Sequence, residues 1–327
     1  MLNNRFDKGQ SYRLFTASIG AMLVATLLLA LLNSLLGFYG EDGKYTETGF
    51  WIANTISQGL LVVVVLVFCK ISKVDYLQAT TLNKLPNWRL LLLAVGVGVG
   101  VFCVMNPVQM LILKVFASFG YEATSSVPIS SEPLTVVLLI LVVAVLPAFA
   151  EEQLFRGAIT RGLKDMGLVP ACLLSGALFM IFHMSPAQTV HQFVMGVVLA
   201  LLVLKSDNVY TSIVVHLVNN ITVLVLAITM GEERADQMVA DNWYWFLIGG
   251  IIVGGLSLYA FLRLTKDNKV VKATEQQSGA QAGNVLDSNK AKEESRSKGS
   301  ADFMVLCVGL LACLVIWLSN LTSSTGG

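Results

Sequence analysis

The run Leu134–Ala150 reads LTVVLLILVVAVLPAFA and carries no charge; it passes straight into EEQLFRG at 151–157. An uncharged stretch of this length is a candidate membrane helix, since a span needs about 20 mainly apolar residues. Two carboxylates and an arginine at its end belong neither in lipid nor in an ordinary soluble core. Even the mildest scale charges about 2.5–3.5 kcal/mol for one such group at a helix centre.

The rest of the chain repeats the apolar theme. Its 327 residues are 55% hydrophobic and only 13% charged, against roughly 25% charged in a soluble domain. Mean hydropathy is +0.71. The apolar residues fall in long blocks near 14–37, 49–69, 90–117, 134–150 (continuing as helix to about 164), 168–184, 190–204, 209–230, 243–263 and 302–319. The fold class is therefore all-α: a polytopic transmembrane helix bundle of about eight core spans plus one extra C-terminal span. Membrane lipid is the surrounding partner. A net charge of +1 gives no basic surface for nucleic acid.

Basic residues alternate between connections. Arg5, Lys8 and Arg13 precede the first span; Lys70, Lys73, Lys84 and Arg89 follow the second; Arg156, Arg161 and Lys164 follow the fourth. The intervening loops at 38–48, 118–133 and 231–242 are nearly free of Lys and Arg. The alternation orients an integral, multi-pass protein with a cytoplasmic N-terminus. The first span has no small-residue cleavage site and reads as retained.

The chain divides into N-terminal transmembrane helices (1–133), a central segment (134–230), a closing helix (231–264), a polar stretch (265–300) and a last span (301–327). The polar stretch, nearly free of aromatics, reads as a disordered cytoplasmic linker. Glycines at 96 and 100, and at 250 and 254, have the spacing that lets helices pack closely in lipid. Cys69, Cys103, Cys172, Cys307 and Cys313 lie in or beside apolar segments with no CxxC spacing, so they read as small buried hydrophobes.

Polar residues inside apolar segments are the candidate site. Glu152 and Arg156, four apart, share a helix face with the acid first, which leaves Glu151 without a partner on its own helix. His183 follows Phe179 by four, just before Ser185–Pro186. His216 and Asn220 share a face within YTSIVVHLVNNITVLVLAI, while the adjacent Asn219 points elsewhere. Each group alone has a structural explanation: an interfacial helix end, a hydrogen-bonded histidine, or interhelical glue. Geometry couples them. A hairpin turn near 167 is sixteen residues from both Glu151 and His183, which puts the two level. His216 lies about 12 Å into its span, at a comparable depth. A helix broken at Ser185–Pro186 would stop inside the membrane, which is tolerated only against protein or a cavity. His191 falls near that cavity and reads as a lining or structural residue.

In order, EExxxR (Glu151, Glu152, Arg156), FxxxH (Phe179, His183) and HxxxN (His216, Asn220) resemble the motif set of the CPBP family. That family comprises the CAAX proteases and bacteriocin-processing, or Abi, proteins, and includes the Ras-converting type of CAAX endopeptidase. The resemblance covers about 130–230, making 134–230 a CPBP-type catalytic core. It implies that Glu151 and His183 activate water, and that His216 and Asn220 stabilise the oxyanion. Glu152, Arg156 and Phe179 would support the site. The implied function is an intramembrane endopeptidase acting from a cytoplasmic-side pocket on a membrane-bound or lipidated peptide, by CAAX-type or leader-peptide processing. No cofactor is favoured. Zinc held by Glu151, His183 and His216 is the alternative, against which stands the absence of HExxH. A non-enzymatic bacteriocin-immunity or scaffold protein is the competing reading. A proton-linked transporter fits less well, because the halves show no internal repeat.

Overall fold

The computed structural model describes residues 2–40, 45–121, 123, 127–266 and 289–323. Among them, the β contacts are two isolated bridges, Asn3 with Val74 and Tyr39 with Tyr45. The rest of the regular structure is helix. Among the described residues eight helices are long and apolar enough to cross a membrane, and the protein is an integral, multi-pass helical bundle. Large apolar side chains such as Leu31, Ile251 and Leu311 stay exposed along the outer helices, the surface that a bilayer solvates.

The first helices start and stop on local signals. Helix α1 (Lys8–Leu36) opens with a capping box between Asp7 and Gln10 and closes at Gly37, whose φ of 63° is left-handed. Thr46 caps α2 (Glu47–Ser72) by accepting from the Gly49 N–H. A short α3 (Tyr76–Thr80), capped by Asp75, lies across one end of the bundle before α4 (Trp88–Ala117) begins. The apolar blocks do not reveal α3, because five residues show no periodicity.

Helix α5 (Pro133–Met166) carries the decisive stretch. The continuity expected from the sequence holds, but the winding is not uniform. Two π-helical stretches, Leu139–Val145 and Gln153–Thr160, flank the α-helical Leu146–Glu152. Pro147 gives the first stretch a cause. It has no N–H to donate to the Val143 carbonyl four residues back, and its ring crowds that carbonyl, so the ladder widens. The released Val143 oxygen instead faces the Asn220 side-chain amide at 3.5 Å.

Helix α6 (Leu168–Phe182) has 15 residues, about 22 Å at 1.5 Å per residue, too short for a hydrocarbon core of about 30 Å. The chain breaks over 183–188, with Met184 at φ 49°, and resumes as α7 (Thr189–Ser206). The break expected at Ser185–Pro186 is there, and its freed carbonyls find partners: Gln109 donates to the Ala187 oxygen and Asn320 to the Met184 oxygen. Helix α8 (Tyr210–Met230) follows, then an amphipathic α9 (Glu232–Asp241) where the sequence predicts a loop, then α10 (Trp243–Thr265).

Small residues set the helix contacts. A Cβ on Gly100 would collide with the Gly254 backbone, so α4 and α10 touch through the predicted glycines. Gly176 and Gly196 do the same for α6 and α7. The last helix, α11 (Asn289–Ser323), lies against α1, where Arg13 meets Asp302 at 2.6 Å and Thr16 donates to the Val305 carbonyl at 2.8 Å. The linker expected over 265–300 is corrected at its far end, since 289–300 are helix; most of it, 267–288, lies outside the described residues.

Candidate functional site

Residues 150–163 of α5 are all buried, charges included. Glu152 and Arg156 have no exposed side-chain surface, and Arg156 Nη1 donates to Glu152 Oε1 at 2.9 Å. The i,i+4 geometry is thus kept at the junction of the α and π stretches. Breaking such a dry pair costs about 3–5 kcal/mol, because it strands a charge.

His183 and Glu151 meet across the α5–α6 hairpin, with His183 Nε2 3.8 Å from Glu151 Oε2. The other ring nitrogen, Nδ1, lies 2.8 Å from the Phe179 carbonyl. A carbonyl only accepts, so Nδ1 carries the proton and Nε2 is the acceptor of the neutral ring. Two acceptors therefore face each other at a separation that a direct hydrogen bond does not explain. Glu151 Oε2 is buried without a hydrogen-bond partner among the described residues.

Helix α8 brings in the remaining histidine of the motif set. His216 Nδ1 lies 3.0 Å from Glu152 Oε1, so Glu152 holds both Arg156 and His216. Phe179 fills the space between these groups. The Arg156 guanidinium sits 4.0 Å from its ring centre, and its ring meets those of His183 at 4.6 Å and His216 at 6.1 Å, edge to face. The structure thus brings Glu151, Glu152, Arg156, Phe179, His183 and His216 together. Asn220 lies one turn beyond His216 on α8, directed to Val143. Its neighbour Asn219, expected to point elsewhere, is buried and donates to Asn220 Oδ1 at 3.4 Å. His191 is partly buried in the first turn of α7.

Gln58 is a site residue that the motif spacing does not single out. It lies on α2 and donates to Glu151 Oε1 at 3.1 Å. Its signal is an amide within the apolar run of 50–68, four residues after Asn54. The α3 contacts are likewise absent from the motif set. Tyr76 donates to Gln153 Oε1 at 2.7 Å, and burial pushes its phenol up, which keeps it a donor. Arg161 donates to the Ala79 carbonyl at 2.5 Å, and Gly157 leaves room for Thr80. These contacts cover α5 at the end where Lys and Arg gather. A cavity of about 580 Å³ lies at the opposite end, lined in part by Asn106, Ser185, Gln188 and Val223.

Zinc requires three protein ligands around one point, with an open position. Among the described residues no group of three or more His, Cys, Asp or Glu is arranged to hold a metal. Glu151 and His183 face each other, and His216 is bonded through Nδ1 to Glu152. The candidate set Glu151, His183 and His216 is not gathered as such a group.

Residues 133–222 match the family model of the type II CAAX prenyl endopeptidase Rce1-like proteins. This segment resembles an Rce1-like domain. The matched family is a protease family, and the matched segment contains all seven motif residues from Glu151 to Asn220. Gln58, α3 and α11 lie outside the matched segment. No curated protein and no solved structure matches the chain.

Proposed function

We propose that the protein is an intramembrane endopeptidase that hydrolyses a peptide bond in a membrane-bound or lipidated peptide, by CAAX-type or leader-peptide processing. The observation that carries this is the facing pair of acceptors, Glu151 Oε2 and His183 Nε2, at 3.8 Å. A water lying beside them gives one O–H to each, which leaves its lone pairs directed away from both. The carboxylate takes the proton as the water oxygen attacks the carbonyl carbon, and passes it to the departing amine nitrogen. His216 and Asn220 are the donors assigned to the oxyanion. With Nδ1 donating to Glu152, His216 can offer an Nε2–H only when its ring carries both protons, and the Glu152 carboxylate faces the resulting positive charge.

Glu152 and Arg156 hold the site, and Phe179 spaces it. The reaction needs no metal. The N-terminus is cytoplasmic, on the alternation of basic connections. The test is cleavage of a fluorogenic farnesylated CAAX peptide and of a membrane-peptide library by the detergent-purified protein. Native cleavage that is lost in Glu151→Ala is expected. An equally active Glu151→Ala protein overturns the reading. No cleavage by a folded native protein shifts the assignment to a bacteriocin-immunity or scaffold role.

A further inference from the structure

We propose that Gln58 completes this site from outside the matched segment, positioning Glu151 and accepting a backbone N–H of the bound peptide. The inference rests on the proposed endopeptidase reading.

Gln58 is contributed by α2, 93 positions before Glu151 in the chain, and its Nε2 donates to Glu151 Oε1 at 3.1 Å. A carboxylate on a helix can rotate about its last torsion, which is a broad, two-fold well. Fixing Oε1 therefore fixes Oε2, and Oε2 is the oxygen that faces His183. Neither α5 nor α6 supplies another hydrogen bond to the Glu151 carboxylate among the described residues. The amide of Gln58 thus sets which carboxylate oxygen is presented to water.

The other end of the same amide is unspent. Gln58 Oε1 is buried and has no hydrogen-bond partner among the described residues, as is Glu151 Oε2. A buried acceptor left without a donor costs about 1–3 kcal/mol, so such atoms mark places where a donor arrives. Glu151 Oε2 and His183 Nε2 are matched to the two O–H groups of water. Gln58 Oε1 remains, beside the reacting carboxylate, and the donor that a polypeptide substrate carries at every residue is its backbone N–H. The simpler explanation is an amide that glues α2 to α5. Glue of that kind accounts for the donated bond but leaves the carbonyl oxygen stranded.

The experiment uses the full chain in detergent with the farnesylated CAAX peptide as probe. Single backbone N–H groups flanking the scissile bond are replaced in turn by ester oxygens. Gln58→Met, which keeps length but neither donates nor accepts as an amide, is compared with native protein, Gln58→Asn and Asn54→Leu. Asn54 is one turn away and donates to the Phe50 carbonyl of its own helix. Gln58→Met should lower kcat about 10- to 100-fold, the scale of a misplaced reacting group. Gln58→Asn should recover part of that loss, and Asn54→Leu should stay near native.

One ester substitution should cost the native enzyme roughly 5-fold in kcat/KM, the worth of one hydrogen bond, and should cost Gln58→Met nothing further. A purely structural Gln58 would lower activity equally on every peptide. Native kcat in Gln58→Met, or an ester penalty unchanged by that substitution, overturns the inference while the endopeptidase reading stands. Absence of cleavage by the native chain, or full cleavage by Glu151→Gln, overturns both.

Discussion

His216 Nδ1 lies 3.0 Å from Glu152 Oε1. The same oxygen accepts from Arg156 at 2.9 Å, so the second carboxylate of the EE pair is a fixed post between two helices. Its neighbour Glu151 instead accepts from Gln58 and faces His183. Two adjacent glutamates on α5 therefore have different surroundings, set by which helix each one meets.

Replacing Glu152 by Gln should destabilise the protein by about 3–5 kcal/mol, because Arg156 is left buried and charged without its counter-ion. The double variant Glu152→Met with Arg156→Met should cost less than Glu152→Gln alone. Thermal unfolding in detergent measures both. A Glu152→Gln protein of native stability would mean that Arg156 finds water or another partner.

Cleavage should persist in the presence of a strong zinc chelator. The reason lies in the donor set: no three ligands converge among the described residues. Activity that disappears with chelator and returns on adding zinc would reverse this.

Gly100→Ala should destabilise the bundle by about 1–3 kcal/mol, the cost of overpacking. The new methyl group would press on the backbone of Gly254. Gly255→Ala, one residue along, meets open space and should be neutral or stabilising by about 0.5–1 kcal/mol. Melting temperatures of the two variants side by side decide it. Equal melting temperatures would show that α4 and α10 separate easily.

Asn320→Leu should lower kcat/KM roughly 3- to 10-fold with little change in melting temperature, on the scale of one lost hydrogen bond and a shifted catalytic group. Asn320 donates to the Met184 carbonyl at 2.9 Å, and Trp317 donates to Thr189 Oγ1 at 3.0 Å. Both bonds hold the turn that bears His183. An unchanged rate would show that the turn keeps its shape without α11.

The apolar spans are legible in the sequence because lipid imposes a length and a composition on each of them. The meeting of Glu151 with His183 is legible because a hairpin of known rise makes equal distances from the turn equal depths. The widened turns of α5 are hidden. Pro147 gives a hint, but a proline within a helix has several outcomes, and the amide of Asn220 waiting beside Val143 belongs to another helix. Gln58 escapes for a similar reason. Its amide is one of several within apolar spans, and only the packing of α2 on α5 places it at Glu151 rather than at lipid. Asn219 and Asn220 show the limit of face arguments: the two side chains bond each other although they are adjacent in sequence.

The clamp by α11 has a consequence in time. Met184 receives its bond from a residue 136 positions later in the chain, and Thr189 from one 128 positions later. A growing chain reaches those residues only after the helices around Glu151, His183 and His216 have already entered the bilayer. The nascent protein would thus hold its candidate site residues together before it holds them in place. On the proposed endopeptidase reading, cleavage would wait until a helix outside the matched segment has been delivered.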